Sequence, residues 1–469
     1  MVGYNRLLKI PNIGFCSLAA NIDEGICEIK IADLTIVKKN AFKYFEDLLQ
    51  SYKPDLVGLS GMIFHCDEIL RLAKITKAYD ENIKVIVGGY YPTVANELIV
   101  EKEEKNYFDF LIRGEGEVAF NKFLKAFTNG KDYTNVPGLT YKKNGEFIHN
   151  PQGFPAKLDE IKPPNRDLRI LKKGFHIFGY PADSIESSRG CAYNCNFCCI
   201  SLMYGRGYRK YKIERVIDDI RDAQKHGAKA IMFTDDNITL DGKRCLELFK
   251  AIEDAGLNKI KYLLEASING FVNTPGLAKA LADGGVRWIF LGIENASDEI
   301  LHSMNKSIQL KSLDAYKVVK ELKSYGIFII GGFILGHPDD NKESLWANYK
   351  YALEIGVDVP TFNVLTPYPK TGMREELANI NMITNLDDFV KYNGLAANVK
   401  TKNLTSEEIF DIIHEMELRF PAESGVIWRL LRKYPLYALR MGAGWLLKSP
   451  GDLLKFATGF RKKSIKSVN

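Results

Sequence analysis

A chain of 469 residues, 46% hydrophobic and 26% charged, is long enough for two or three separately cored domains, and this composition excludes a disordered or fibrous chain. The formal charge of +6 belongs to the tail: residues 424–469 hold ten Lys/Arg and one acid, Asp452, whereas residues 1–423 hold 54 basic and 57 acidic residues. No run of about 18 uncharged apolar residues appears and no charged-then-apolar leader opens the chain, so a cytoplasmic protein is expected.

The first third alternates apolar runs with helical spacing. "PDLVGLS" (54–60), "IKVIVGG" (83–89) and "FDFLIRG" (108–114) read as buried strands, and "CDEILRLAKITKAYD" (66–80) as a helix between two of them. That is a doubly wound α/β pattern, with its ligand crevice at the carboxyl ends of the strands. Only "RLLKI" precedes these strands as a candidate first strand, and it is short. "GEGEVA" (114–119) formally matches a dinucleotide fingerprint, but Glu115 and Glu117 would crowd a pyrophosphate with like charge. "VPGLTYKKNGEFIHN" (136–150) predicts a hairpin turning at Asn144-Gly145, and the polar "KLDEIKPPNRD" (157–167) a linker.

From about residue 180 the alternation lengthens, an α/β pattern again. Strand candidates are 184–188, 230–236, 262–268, 288–294, 328–335 and 361–367, with amphipathic helices at 214–226, 243–255, 312–325 and 342–355. Six βα units in sequence suggest a partial parallel barrel, in which active-site residues sit on the loops after the strands. "SSRGCAYNCNFCCI" (187–200) occupies the first such loop and holds Cys191, Cys195, Cys198 and Cys199. Thiolates are soft ligands suited to iron–sulfur clusters, and a short loop can hold three corners of a cubane. A zinc knot of all four would need adjacent Cys198 and Cys199 to reach one ion, which strains the chain. Cys199 is therefore read as a small buried apolar residue. The remaining cysteines, Cys16, Cys27, Cys66 and Cys245, are scattered without pairing logic.

C-x3-C-x2-C at Cys191, Cys195 and Cys198, with Phe197 before the last, resembles the radical S-adenosylmethionine (radical SAM) signature. The resemblance implies a 4Fe-4S cluster on the three cysteines and a fourth iron that chelates SAM. It also implies reductive cleavage of SAM to a 5′-deoxyadenosyl radical, with a low-potential donor such as a flavodoxin or ferredoxin. Phe197 would pack near adenine, and Gly190 would let the backbone pass close to the cluster. "FTDDN" (233–237) resembles the strand end that meets the methionine amine, through Asp235 or Asp236. "FLGIEN" (290–295) resembles the ribose-side strand, with Glu294 and Asn295 as hydroxyl partners. "GGFILGHPDD" (331–340), with Gly332, resembles the Gly-rich strand beside adenine, and "TPYPKTGM" (366–373) the turn closing the sixth strand.

The first domain resembles the cobalamin-binding domain that one large subgroup sets ahead of this barrel. That resemblance implies loop positions Ser60, Gly61, Gly88, Gly89, Tyr91, Pro92, Thr93 and Gly114 as the cobalamin site. No Asp-x-His-x-x-Gly occurs, so no histidine is marked as a lower cobalt ligand. The expected organisation is a Rossmann-like cobalamin-binding domain at 1–135, hairpin and linker at 136–179, a partial (βα)6 radical SAM barrel at 180–390, and a helical basic and aromatic region at 391–469.

The tail mixes Trp428, Tyr434, Tyr437, Trp445 and Phe460 with Arg429, Arg432, Lys433, Arg440, Lys448 and Lys455. Two readings stand: a helical cap on the barrel, or a segment lying on the inner face of a membrane, with nucleic acid disfavoured by the Leu/Trp stretches. The resemblance as a whole implies methylation of an unactivated carbon in a hydrophobic small molecule, a lipid, terpenoid or tetrapyrrole. Alternatives are a cyclase or oxidase using the same cofactors, resembling the anaerobic magnesium-protoporphyrin ester cyclase, and, more remotely, a cofactor sensor that is no enzyme. Methylthiolation of RNA would need a second cluster, and Cys16, Cys27 and Cys66 do not sit in the motifs for one.

Overall fold

The computed structural model describes residues 8–37, 40–130, 132–306 and 312–433. In the first domain β1 (Leu56–Ser60), β2 (Lys84–Gly88) and β3 (Phe110–Ile112) pair in parallel, with Val57 beside Val85 and Ile86 beside Phe110. The predicted hairpin forms as β4 (Leu139–Lys143) and β5 (Glu146–His149), turning at Asn144 (φ 53°) and Gly145 (φ 88°). It does not stand apart as a linker element. β4 adds antiparallel to β3, Tyr141 opposite Phe110, and extends the first sheet past residue 135. The driving contact is aromatic: the Phe110 ring lies 4.8 Å from Phe123 and 5.2 Å from Tyr133, and the Tyr133 ring 5.4 Å from Tyr141.

The short amino-terminal strand corrects a second expectation. Leu8–Lys9 pairs antiparallel with His176–Ile177, at the edge of the other sheet. Leu8 and Ile10 pack there with the apolar floor formed by Ile177 and Phe178.

The second sheet carries β6 (Tyr180–Ile185), β7 (Ala230–Phe233), β8 (Lys261–Ser267), β9 (Val286–Glu294), β10 (Phe328–Leu335) and β11 (Val359–Val364), all parallel and in chain order. β6 starts and ends earlier than the predicted 184–188. After Ile185 the chain leaves the sheet, and Ser188–Arg189 pairs with Arg209–Lys210 instead. Helices Ile213–Lys225, Gly242–Asp254, Ser312–Ser324 and Lys342–Ile355 cover the outer face close to where the apolar spacing placed them.

Strand alternation divides the barrel into layers. On β9, Ile289, Leu291 and Ile293 face the helices, while Trp288 and Phe290 face inward with Gly292 and Glu294 beyond them. Trp288 stacks on Phe178 (5.2 Å, 4° between planes), and Val426 and Leu430 of helix Val426–Lys433 close that floor from below. The described start of the tail is thus a cap. Tyr434, Tyr437, Trp445 and Phe460 lie outside the described residues.

Among the described strands β6 and β11 do not pair, so the barrel is open at one side. The first domain touches both margins of that gap. Phe389 and Tyr392, past β11, join its apolar cluster, and Glu115 and Glu117 reach Arg189, past β6.

Replacing Trp288 by Ala removes the floor and should cost about 3–5 kcal/mol in urea unfolding of the apo-protein; a loss below about 1 kcal/mol would contradict this packing.

Candidate active site

The cysteine loop springs from a neck, residues 187–190, bound by two adjacent aspartates. Asp235 accepts the Ser187 amide (3.0 Å), the Ser187 hydroxyl (2.7 Å) and the Ser188 hydroxyl. Asp236 accepts the Gly190 amide at 2.9 Å. Gly190 has φ 80°, and a Cβ there would stand 2.5 Å from the Gly207 carbonyl oxygen. The returning limb of the loop therefore requires the glycine. Past the neck the loop is stitched down by Asn196, whose amide donates to Met304 O (3.3 Å) and whose carbonyl accepts from Met373 N (3.0 Å).

Cys191, Cys195 and Cys198 line one side of a cavity of about 440 Å³, with Phe197 between them. Burial raises all three thiols, Cys198 to about 12, so each needs a cation to become a thiolate at neutral pH. Cys199 turns the other way and packs with Leu202 and Tyr368 against the first domain's apolar cluster. Adjacent cysteines on opposite sides of the loop cannot close a four-thiolate zinc knot.

The barrel side of the cavity is acidic. Asp236, Glu265 and Glu294 line it, while Asp235 is 1% exposed and fully engaged by the two serines. Of the two candidates for the methionine amine, Asp236 therefore faces the space, its carboxyl raised to about 6 by burial and by Asp235. Glu294 sits at φ 66°, a left-handed conformation unusual for a non-glycine residue and often found at functional sites. Its carboxylate lies 2.5 Å from Lys306 Nζ, and a Cβ on Gly292 would approach it to 2.6 Å. Burial disfavours the Lys306 ammonium, yet Glu294 outweighs it and keeps the lysine charged.

Asn295 is not beside it. Its Nδ2 donates to Ile334 O (3.2 Å) and its Oδ1 accepts from Ser297 N (3.0 Å), so it braces the strand end. Gly332 does not line the space either. A Cβ there would strike Phe290 Cζ at 2.8 Å, so the glycine seats the ring that does.

Glu265 escaped the sequence reading. It is the one acid in "KYLLEAS", two residues beyond inward-facing Leu263, and period-two alternation places it inside the barrel. Burial and then Asp236 and Asp235 push its carboxyl up to about 7.

The first domain's strand ends meet this region. Thr93 Oγ1 donates to Gly89 O (2.7 Å) and accepts the Gly114 amide (3.0 Å), tying two crevice loops together. Gly89 (φ 85°) lies against Ser60, whose Oγ would be 2.6 Å from a Cβ, and the Gly61 carbonyl accepts Tyr91 N at 3.3 Å. A Cβ on Gly88 would meet nothing within 4 Å, and one on Gly114 would stand 3.6 Å from Met203 O beyond the cysteine loop. Tyr91 does not face the crevice, and Pro92 beside it is buried. Tyr91 is 1% exposed, and its hydroxyl donates to Glu104 at 2.9 Å inside the domain core. Its neighbour Tyr90 faces the seam instead, where burial, Tyr204, Asp236 and Cys199 raise its hydroxyl. Glu115 and Glu117 are both paired with arginines of the neck, which accounts for "GEGEVA" without a nucleotide.

Residues 185–352 match the Radical SAM superfamily and residues 2–124 the B12 binding domain. An uncharacterized methyltransferase of Pyrococcus horikoshii is 32% identical over 413 residues, 87% of either chain. The chain belongs to the cobalamin-dependent radical SAM methyltransferase family. Other relatives are the hopanoid C-3 methylase of Methylococcus capsulatus (29%, covering 78% of this chain and 68% of that one) and the anaerobic magnesium-protoporphyrin IX monomethyl ester cyclase of Cereibacter sphaeroides (25%, covering 84% and 65%). In fold it resembles the radical S-adenosylmethionine methyltransferase TsrM of Kitasatospora setae, solved with cobalamin and a [4Fe-4S] cluster: TM-score 0.68, 18% identity, 80% of this chain and 76% of that one.

Membership carries the cofactors of the family, a 4Fe-4S cluster, SAM and cobalamin, and the residues present suit them. Three soft ligands share one wall, and carboxylates on the facing wall suit the ammonium and sulfonium charges of SAM. Open space in front of Gly88 suits a flat macrocycle.

In the fold, burial, and after it Asp236 and Asp235, push the Glu265 carboxyl up to about 7 from an ordinary 4.5. The fold therefore binds this proton more tightly than the unfolded chain, and the carboxyl's contribution to stability declines as pH rises from 4.5 towards 7. Glu265→Gln should raise the thermal midpoint of the apo-protein relative to the parent at about pH 8, with the gain vanishing near about pH 5. A gain independent of pH would contradict the burial of this group.

Proposed function

We propose that the chain methylates an unactivated carbon of a hydrophobic small molecule, in the class of lipids, terpenoids or tetrapyrroles. The observation that carries this reading is a single cavity with three cysteines on one wall, three acids on the other and the cobalamin-type domain at the seam. The hopanoid methylase among its relatives favours an apolar substrate. When bound, the cluster and SAM supply a carbon-centred radical that removes a substrate hydrogen, and cobalamin supplies the methyl group.

The protein's part is to hold and align. Cys191, Cys195 and Cys198 would hold the cluster, and Asp236 would receive the methionine ammonium. Glu294, oriented by Lys306, would bind ribose hydroxyls, and Phe197, in the cavity wall, would pack beside adenine. Glu265 would offer a further carboxyl to the cationic end of SAM. Ser60, Gly61, Gly88, Gly89, Thr93 and Gly114 would border the macrocycle and its nucleotide tail. The Phe178–Trp288 floor keeps water from entering from below. Radical removal of hydrogen asks no base of the protein.

A cyclase or oxidase is the second reading, supported by the 25% identical cyclase. The reducing electron would come from a flavodoxin or ferredoxin. Among the described residues no helix is long and apolar enough to cross a membrane, and a peripheral lipid contact through the basic tail is part of the same proposal.

The test uses protein reconstituted anaerobically with iron, sulfide and hydroxocobalamin, then given SAM, a low-potential reductant and hopanoid, terpenoid or tetrapyrrole acceptors. A product heavier by one CH2, formed together with 5′-deoxyadenosine, is expected, and Cys195→Ala should abolish both. Deoxyadenosine with a product lacking the CH2 gain would favour the cyclase reading. Neither product, from fully loaded protein, would overturn the assignment. Co-sedimentation with anionic vesicles that disappears on deleting residues 434–469 is expected if the tail meets lipid.

A further inference from the structure

The neck of the cysteine loop is a two-stranded ribbon in which Arg189 stands directly opposite Arg209. Like charges so placed repel, and both side chains are instead taken up by the turn that follows Gly114 in the first domain. Arg189 Nη2 lies 2.6 Å from Glu117 Oε1 and Nη1 3.3 Å from Glu115 Oε1, while Nε donates to Glu186 at 2.9 Å. Arg209 Nη2 lies 2.5 Å from Glu115 Oε1, and its Nη1 donates to Ala156 O at 2.7 Å. Glu117 Oε1 also accepts the Ser17 hydroxyl at 2.7 Å.

Among the described residues, burial separates this cluster from the exposed ion pairs between the domains. The side chains of Arg189, Glu117 and Glu115 are 6%, 6% and 9% exposed. The pairs Lys102–Asp387 and Lys370–Glu97 have no side chain less than 33% exposed, so solvent screens them. Burial works against ionisation of Glu117, yet Arg189 and Ser17 hold its carboxyl below the ordinary range. The two ends of the cluster are also close to both reaction partners. Cys191 follows Arg189 by two residues, and Gly114, whose amide Thr93 binds, directly precedes Glu115.

We propose that Arg189 and Arg209, with Glu115 and Glu117, form a positioning latch that fixes the cysteine loop against the strand-end crevice and so sets the separation of the two cofactors. The proposal rests on the reading of loop and crevice as their respective sites. A buried, multiply bonded ion cluster is suited to this because it has one low-energy geometry, and a methyl group must cross the seam to a substrate radical within reach of both.

The test loads the full-length protein with cluster and hydroxocobalamin and reduces both to their paramagnetic states. The relaxation enhancement that the cluster imposes on cob(II)alamin reports their separation, independently of turnover. In Glu117→Gln, iron and cobalamin contents should match the parent while the enhancement falls by about twofold or more, and amide exchange should rise together at 115–118 and 187–190. Asp387→Asn, which removes an exposed interdomain pair, should leave the enhancement unchanged. Should Glu117→Gln fail to fold, Arg209→Gln removes the more exposed half of the latch and should show the same direction of change. An unchanged enhancement in a folded, doubly loaded latch variant would overturn the latch, as would an equal fall in Asp387→Asn. A parent that binds no cobalamin would instead overturn the assignment of the crevice, and the latch with it.

Discussion

Buried carboxylates reach the neck of the cysteine loop from two directions, and the placement of the site follows from that constraint. From the barrel, Asp235 and Asp236 bind the amides and hydroxyls of residues 187–190. From the first domain, Glu115 and Glu117 bind Arg189. Removing one partner from such a buried ionic set costs about 3–5 kcal/mol, because the other charge is left without compensation. A loop with little regular structure is thereby tied at its neck to both domains. Rigidity is what three cysteines on a loop need if their thiols are to face one cavity.

The barrel beneath is graded from apolar to charged along its axis. Inward positions begin with Trp288, Phe328 and Leu263, continue through Phe290 and Ile330, and end in Glu265, Gly292 and Glu294. The floor contributes hydrophobic stability, whereas the mouth holds Asp236 and Glu265, whose carboxyls burial raises. Lys306 compensates Glu294 there, while Asp236 and Glu265 face the same cavity and suit the ammonium and sulfonium of SAM.

The sequence was most legible where chemistry is local. C-x3-C-x2-C marks its own loop, and Glu294 was named through the resemblance of "FLGIEN" to the family's ribose-side strand. The doubly wound and barrel strands were legible through alternation. Partners distant in sequence were not. Asp235 and Asp236 are neighbours in the chain, but opposite orientations at a strand end send one to the serines and the other to the cavity. Tyr90 and Tyr91 differ in the same way at the start of a helix, where successive residues lie about 100° apart. Arg189 and the two glutamates of "GEGEVA" form one unit that neither stretch announces alone. Glu265 was legible in principle, since an acid at an inward register position of a central strand requires a reason to be there.

The central claim is that three thiols, and not four, share a cavity with a site for SAM. Electron paramagnetic resonance of the anaerobically reconstituted, reduced protein tests it most directly. SAM should shift the spectrum of the reduced cluster by binding its open iron, in the parent and equally in Cys199→Ala, whose side chain faces the other domain. A spectrum indifferent to SAM, or a cluster lost on removing Cys199, would contradict the account.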